Sequence, residues 1–590
     1  MVNRYTKLRA RRRIRHQTKA IERASTDANR QFEYHVVRRW RNLRGVQRFV
    51  GGWLLLVALL AGGVYFQNQN LSAFYQSDQP VKGGTYREGI EGEFANLNPI
   101  YASTNADRAG SKLLFNALFK YDIEGNVVGD LARSWEVSGD GTVYTVSLNE
   151  DIKWHDGVDF SAEDVVFTYQ AIQNPDVRSV LNASWQGIKV QAKDATTVTF
   201  TLPNEFAPFI HSLTKGGIIP KHILSTVNPE QMRSSQFNSV SPIGTGPYEF
   251  VEFAKTELSK ELRLRKFEQY HAGEPNISQF YLITYTNQDK LVKDFNDGGL
   301  AAIGGLKGVD FSVINQERSH IWNDAPLTNG VYLFMKNGDK KLADVEMRTA
   351  LTHATDQIEI LKSLNGRFVS VNSALLKGQL GYDSKFVQHG HDKSKAEEAL
   401  DRLGWNKGED GWRYKDNNKL TFVLTTQDSD YYPRIAEQVK SQWAQVGINL
   451  EIQLVNESMI RSNHIIPHNY QVFLSGIEIG HDPDVYVFWH SSQAGVGGFN
   501  LSEYKSDAAD ASLESGRTRS EEKLRDAKYQ PFVQSWAEDA PAIGLYQPTY
   551  VYVQQTRAKG FVAREITTPE ERYNNVNEWF VNSETKDMSY

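Results

Sequence analysis

Apolar positions along the chain alternate between two periods. Val143–Leu148 runs with period two, so Tyr144, Val146 and Leu148 share one face of an expected strand, and Gly139-Asp140-Gly141 before it supplies hairpin chemistry. From Ser161 the period lengthens. Val165, Val166, Tyr169 and Ile172 recur at helical spacing, and Ser161 with Asp164 three places on makes a capping box. SKLLFNALFKYD (111–122) reads as a helix burying Leu113, Leu114, Ala117 and Leu118. A second hairpin is expected where Ile188, Val190 and Ala192 turn through Lys193-Asp194 into Val198, Phe200 and Leu202. In SPIGTGPYEF (241–250), Gly244, Gly246 and Pro247 specify a bent backbone entering a strand at Tyr248, with glycine's access to positive φ as the expected reason.

From Val331 strands and helices alternate. VYLFMKN (331–337) reads as a strand and EMRTALTHATDQIEILKSL (346–364) as one helix. The next helix opens at Ser394, an N-cap answered by Glu397; Ala396, Ala399, Leu400 and Leu403 form its buried face and Gly404 its stop. Leu420, Phe422 and Leu424 alternate as a strand. Ile435, Val439, Trp443 and Val446 line a helix ending at Gly447, and Ile448, Leu450, Ile452 and Leu454 alternate after it. Repeated helix–Gly–strand units predict an α/β region with a largely parallel sheet. At 590 residues the chain exceeds one compact core and divides into several domains.

Charge divides the chain differently. Residues 1–49 hold 15 Lys and Arg against three acids, whereas the remainder holds 51 against 68. Between them VGGWLLLVALLAGGVYF (50–66) carries no charge, and 17 helical residues reach about 26 Å, enough for a thin hydrocarbon core. Trp53 and Tyr65 sit near its ends, and the cluster Arg38, Arg39, Arg41, Arg44 and Arg48 precedes it. The segment is therefore expected to cross the cell membrane once, with the amino terminus cytoplasmic and the large part extracytoplasmic. A basic region of 49 residues is too long for a cleaved signal peptide. The tail RARRRIRHQTK (9–19) reads as a topology determinant; no nucleic-acid partner is expected. Polar residues 67–81 read as a stalk.

Candidate chemistry is sparse. Without cysteine there is no disulfide, thiolate metal site, cysteine nucleophile or lipid-modified cysteine. No HExxH, G-x-S-x-G elbow or P-loop occurs, so an enzyme is not expected. His389 with His391, and His464 with His468, suggest metal ligation, but Pro467 breaks the i,i+4 geometry of the second pair; no metal or cofactor is expected. An aromatic share of 12% can furnish a binding cleft, although most such rings serve cores.

Five stretches, in order, resemble the extracytoplasmic solute-binding proteins of peptide ABC transporters, the oligopeptide- and dipeptide-binding family. They are KGGTYREGIEGEFANLNPIYAS (82–103), WHDGVDFSAEDVVFTY (154–169), SPIGTGPYEF, the 346–364 run (with Gln357 where the family has Arg) and KYQPFVQSWAEDAPAIGLYQPTYVYV (528–553). The resemblance spans about 82–580 and implies a two-lobed periplasmic-binding-protein-like clamp with an extra small domain, here preceded by one transmembrane helix. On that basis lobe I takes 82–112, 238–328 and 545–590, the small domain 113–237 and lobe II 329–544.

The same resemblance reaches ligand chemistry in SGIEIGHDPDVYVFWHSSQ (475–493). In the family a strand there pairs with the bound peptide's backbone, within a G-W-x-x-D-Y-x-D/E-P pattern whose aspartate neutralises the peptide's α-ammonium. Gly476 and Asp482-Pro483 remain here, but the run between them is one residue short and Ile477 replaces the tryptophan. Counting from Gly476 puts Gly480 at the aspartate position; counting from Pro483 puts Ile479 there. Glu478 is the nearest carboxylate that could substitute. The implied ligand contacts are Ser103, Thr104, Ser475, Gly476, Ile477, Glu478 and Asp482. The implied function is a monomeric, membrane-anchored receptor that captures peptide and delivers it to an ABC permease with its ATPase subunits. The alternatives are a clamp that signals through its cytoplasmic tail, or one that binds a non-peptide solute.

Overall fold

The computed structural model describes residues 47–587 except 256–258, 307–312, 315–319, 365, 430, 520 and 563, with scattered positions before 47. Most of the basic tail thus lies outside the described residues. The chain forms two compact units, 1–79 with 583–590, and 80–582. In the first, one helix, Gln47–Tyr75, contains the whole 50–66 segment and runs on through most of the expected stalk. Its Leu54, Leu59 and Leu60 are exposed. Among the described residues no helix is long and apolar enough to cross a membrane. The expected span is a short apolar stretch bounded by Gly51-Gly52 and Gly62-Gly63, and the helix continues into the polar run Gln67-Asn68-Gln69-Asn70.

The second unit is a mixed α/β structure on three main sheets. A seven-stranded sheet has the order His320–Pro326, Thr549–Gln555, Ala302–Gly304, Thr85–Glu91, Gln279–Tyr285, Ser259–Lys266 and Tyr248–Lys255. A six-stranded sheet has the order Val369–Ser370, Ala542–Gln547, Asn329–Met335, Val472–Glu478, Thr421–Gln427 and Asn449–Val455. Ala132–Val137, Val143–Leu148, Thr197–Thr201 and Lys189–Asp194 form a four-stranded antiparallel sheet.

Burial explains the different sequence patterns of these sheets. Helices cover both faces of the six-stranded sheet, with Leu333, Leu424 and Trp443 in one core and Phe334, Phe473 and Trp536 in the other. Its central strand Asn329–Met335 is accordingly apolar almost throughout, as a doubly covered strand must be. The four-stranded sheet is covered on one face, and Val143–Leu148 buries alternate residues as expected. The six-stranded sheet is not largely parallel. Only Thr421–Gln427 with its two neighbours is parallel, and the remaining pairs are antiparallel. Asn329–Met335 is entered directly from the other sheet and Ala542–Gln547 leaves directly to it, with no helical crossover at either connection, which leaves both free to run opposite to their neighbours.

Several boundaries differ from the sequence expectation for identifiable reasons. The helix expected at 111–122 is Asn105–Leu114. Thr104 caps it, accepting from the Asp107 N–H at 3.0 Å, and the chain turns extended at Phe115. There the Leu114 carbonyl accepts from Gly246 N–H at 2.8 Å instead of from a further helical turn. Residues 346–364 form two helices, Val345–His353 and Gln357–Ser363, because Asp356 caps the second by accepting from Glu359 N–H at 2.9 Å. The cap expected at Ser394 is Asp392, which accepts from Lys395 N–H at 3.1 Å.

Residues 154–169 and the 241–250 turn prove to be one structure. Gly244 N–H donates to His155 Nδ1 at 3.1 Å, so the neutral ring carries its proton on Nε2 and donates it to the Gly246 carbonyl at 3.1 Å. Burial, the larger influence, lowers the His155 pKa from about 6.5 to about 4, and the Gly246 bond opposes it. Neither Gly244 nor Gly246 has positive φ. Their glycines serve close approach: a Cβ on Gly244 would stand 1.8 Å from the Leu114 carbonyl oxygen.

Candidate functional site

The chain passes from the seven-stranded to the six-stranded sheet at Leu327-Thr328 and returns at Pro548. These crossings lie side by side, with Leu327 N–H donating to the Pro548 carbonyl at 2.8 Å. Beside them two cavities of about 430 and 340 Å³ share Arg108, Glu478 and Thr568 in their walls. Together they form a cleft of the size that takes a small organic ligand or short peptide. Arg108 and Lys112 reach it from the capped helix Asn105–Leu114, Ser103 from the residue before its cap, and Glu478 from the six-stranded sheet.

Three wall residues come from the carboxyl-terminal segment Pro569–Glu578, namely Glu570, Glu571 and Asn574. That segment is pinned to the seven-stranded sheet through Arg572. Its guanidinium donates to buried Glu88 Oε1 at 2.6 and 3.0 Å, and the Tyr573 and Tyr552 hydroxyls donate to the same carboxylate at 2.7 and 2.8 Å. A buried ion pair needs such extra hydrogen bonds to offset the desolvation of both charges.

Strand Val472–Glu478 contributes Glu478 to both cavities and carries an open edge. Asn329–Met335 pairs with it along its full length, but Thr421–Gln427 pairs only with Val472, Phe473 and Leu474. Among the described residues no strand covers that second edge from Ser475 to Glu478. Leu474 directs its carbonyl to that edge, where Thr426 Oγ1 donates to it at 2.9 Å. The alternation of backbone groups along a strand then aims the N–H and C=O groups of Gly476 and Glu478 to the same side. The Glu478 carboxylate, about half exposed, lies 3.5 Å from Lys215 Nζ. A pair this exposed contributes under about 1 kcal/mol and is open to exchange.

The loop that follows the strand is closed by its own partners. Asp482 is buried, and Arg525 donates to it twice, Nη1 to Oδ2 at 2.6 Å and Nη2 to Oδ1 at 2.8 Å. Burial works against the Arg525 charge, but Asp482 more than compensates and holds the guanidinium pKa above its usual range. His211 Nε2 approaches Asp482 at 3.4 Å. His481 packs its ring 4.0 Å from that of Tyr121 and bonds Glu571 Oε2 at 3.2 Å. Asp484, its pKa raised by burial, is paired with Arg517 at 3.0 Å.

Of the residues implied as ligand contacts, the structure brings Ser103 and Glu478 to one cavity. Ser475 and Gly476 precede Glu478 along the open edge. Ile477 buries its side chain in a core, so only its backbone lies at the strand surface. Thr104 uses its hydroxyl as the helix cap. Asp482 is placed in the Arg525 pair rather than in the cleft wall, the guanidinium meeting both of its oxygens. His468 is engaged through both ring nitrogens, by Glu503 at 3.2 Å and the Gly498 carbonyl at 3.1 Å, and among the described residues no group of three or more His, Asp or Glu is placed to hold a metal ion. Sequence reasoning missed Arg108, Lys112, Lys120, Asn574 and Lys215. A signal existed for Lys112, the one charge within the apolar run SKLLFNALF, four residues after Arg108 and so on its helix face.

A mixed α/β fold with a ligand-sized cleft beside two strand crossovers matches that of two-lobed solute-binding proteins. Residues 126–498 match the family described as bacterial extracellular solute-binding proteins, family 5 Middle, and the chain belongs to that family. It is 27% identical over 546 residues to the oligopeptide-binding protein AppA of Bacillus subtilis, covering 90% of this chain and 97% of that one. The structure of Bacillus subtilis AppA in complex with a nonapeptide superposes with a TM-score of 0.68 at 25% identity, over 85% of this chain and all of the other. NikZ from Campylobacter jejuni, in complex with Ni(L-His), gives a TM-score of 0.68 at 26% identity over 84% and 99% of the two chains.

Proposed function

We propose that this chain captures peptides in the cleft and presents them to an ABC importer. The observation that carries this reading is the open edge of Val472–Glu478 beside the Glu478 carboxylate. An extended peptide adds to such an edge through main-chain hydrogen bonds, which give affinity without regard to side-chain identity. Glu478 then receives the peptide's α-ammonium in exchange for Lys215, filling the role of the missing aspartate. Ser103, Ser475 and Gly476 complete the contact set, while Thr104, Ile477 and Asp482 hold it in place.

The lobes rotate about the paired crossovers at Leu327-Thr328 and Pro548, and closure buries the ligand. Segment 50–66 holds the chain to the cell membrane with the large unit outside, where a permease and its ATPase subunits take delivery. Exposed Leu54, Leu59 and Leu60 support that anchoring. Alkaline carbonate should leave the full chain in the membrane pellet, and quantitative release would exclude the anchor.

Binding is tested by mass spectrometry of ligands released from the purified full chain, together with calorimetric titration of trialanine. Peptides are expected in the released fraction. Repeated recovery of a sugar or a metal chelate, with no heat from trialanine, would overturn the reading.

A further inference from the structure

Contacts between the body built on the four-stranded sheet and the body built on the six-stranded sheet are of two kinds. Some stand in the cleft wall, as where Lys215 faces Glu478, and a ligand entering the cleft disturbs them. Others stand outside both cleft cavities. One such group centres on Arg517, the last residue of helix Asp507–Arg517. Its guanidinium carbon lies 4.2 Å from the centre of the Tyr486 ring and 5.1 Å from that of Phe206, and Nη2 donates to Asp484 Oδ2 at 3.0 Å. Its carbonyl, at a helix end where carbonyls lack helical partners, accepts from Ala207 N–H at 3.0 Å.

The two rings belong to different bodies. Phe206 follows strand Thr197–Thr201 and packs on the core that holds Tyr144 and Phe209, and the Tyr144 hydroxyl donates to its carbonyl at 3.0 Å. Tyr486 packs on the core that holds Leu513, Phe473 and Trp536. A rotation that parts the bodies therefore breaks the Phe206 stack and the Ala207 bond but leaves the Tyr486 stack and the Asp484 pair intact. Those two partners hold the guanidinium in place before Phe206 arrives, so little side-chain freedom is lost when the contact forms. None of Phe206, Ala207, Tyr486 and Arg517 lines either cleft cavity; Phe206, Tyr486 and Arg517 line a separate cavity of about 570 Å³.

We propose that Phe206 and Arg517 form a clasp that favours the closed cleft without touching the ligand, and so scales the affinity for every ligand by one common factor. Apparent affinity is proportional to the fraction of the protein in its binding-competent state, and a contact made only on closure raises that fraction. The inference rests on the lobe rotation within the peptide reading and adds a closing force that lies outside the cleft.

The chain has no cysteine, so spin labels can be placed at Lys193→Cys and Lys440→Cys alone, two exposed positions on strand Lys189–Asp194 and helix Tyr432–Gln445. The distance between them is measured in the full chain without added peptide. Phe206→Ala should move population from the shorter to the longer distance. Arg517→Lys keeps the Asp484 pair but loses the planar stack, and should do the same to a smaller extent. In calorimetric titration of Phe206→Ala, the affinities for trialanine and for N-acetylated trialanine should fall by one factor, about threefold to tenfold for a lost cation–π contact, matching the fall in the closed fraction. An unchanged distance distribution in both folded variants would overturn the clasp. So would a loss confined to trialanine, since Phe206 would then be meeting the ligand's ammonium itself. A shifted distance distribution in a chain that binds neither peptide would overturn the peptide reading and leave the clasp standing.

Discussion

Residues 154–169 and residues 475–484 are both recognisable in the sequence, and they end in opposite states. In the first, most polar groups are met within the fold, the buried Trp154 Nε1 being an exception. Trp154 and Val165 are fully buried, Ser161 N–H donates to Asp164 at 3.0 Å, and His155 ties the stretch to Gly244 and Gly246. The second stretch divides at its middle. From Ile479 onward it is braced, with Asp482 and Asp484 each held by an arginine, but from Ser475 to Glu478 it leaves a strand edge unpaired and ends in a carboxylate that lines the cleft. A site is marked by what the fold leaves unpaired, and a motif's familiarity does not distinguish the two.

The largest expected effect lies in the braced half of the second stretch. Asp482→Asn leaves the Arg525 guanidinium buried without a counter-charge, which costs about 3–5 kcal/mol of folding stability. Chemical denaturation of the full chain measures it. Adding Arg525→Met should recover much of the loss, since an apolar replacement of both partners removes the uncompensated charge. A loss below 1 kcal/mol for Asp482→Asn would mean that the loop is not braced as described, and would return Asp482 to the list of groups free to meet a ligand.

Next in size is an acid sensitivity of the scaffold stretch. The His155 pKa falls from about 6.5 to about 4 on folding, so the folded state refuses a proton that the unfolded chain accepts between those values. Above pH 6.5 the group makes no difference. As pH falls from 6.5 to 4 its contribution is lost, and below 4 the loss is complete, at most about 3 kcal/mol. Protonation of Nδ1 would also set two donors facing each other, the ring N–H and Gly244 N–H. Stability measured between pH 4.5 and 7 should therefore slope more steeply for the unmodified chain than for His155→Gln. Matching slopes would show that His155 does not couple the two motifs.

Much of this architecture was legible in the sequence because local rules and tertiary packing agree. The period-two strand at Val143–Leu148, the Ser161–Asp164 box and the helix ending before Gly447 need only their own residues to be read. What could not be read depends on partners distant in sequence. The helix end at Leu114 is set by Gly246, and the mixed order of the six-stranded sheet is set by two strands joined directly to the other sheet. The same holds in the cleft. Glu478 was legible as the nearest carboxylate in an altered pattern, whereas Asp482 was not legible as a brace because Arg525 lies 43 residues away. Lys112 and Asn574 share a cavity wall only through the Arg572–Glu88 anchorage of the carboxyl-terminal segment.

The open half of the second stretch is probed by Glu478→Gln. On the proposed reading trialanine affinity should fall about tenfold, the peptide's ammonium losing its charged partner. Folding stability should stay within about 0.5 kcal/mol, because the exposed Lys215 pair contributes little. Calorimetric titration and denaturation of the same preparation give both numbers. A large stability loss with unchanged affinity would make Glu478 a structural residue and erase the contrast within 475–484.

The smallest expected effect is the most discriminating, because its sign is unusual. If Glu478 receives the peptide's ammonium as proposed, Lys215 is the group it displaces, so Lys215→Met should strengthen binding where most substitutions near a ligand weaken it. An exposed pair is worth about 0.2–1 kcal/mol, which corresponds to about a 1.4- to fivefold gain in trialanine affinity at low salt. The gain should shrink as ionic strength rises, since screening already weakens the competing Lys215 pair in the unmodified chain. N-acetylated trialanine, which has no ammonium, should show no gain at all. If Lys215→Met instead weakened both peptides equally, Lys215 would be a ligand contact in its own right, and the ammonium would have to be met elsewhere than at Glu478.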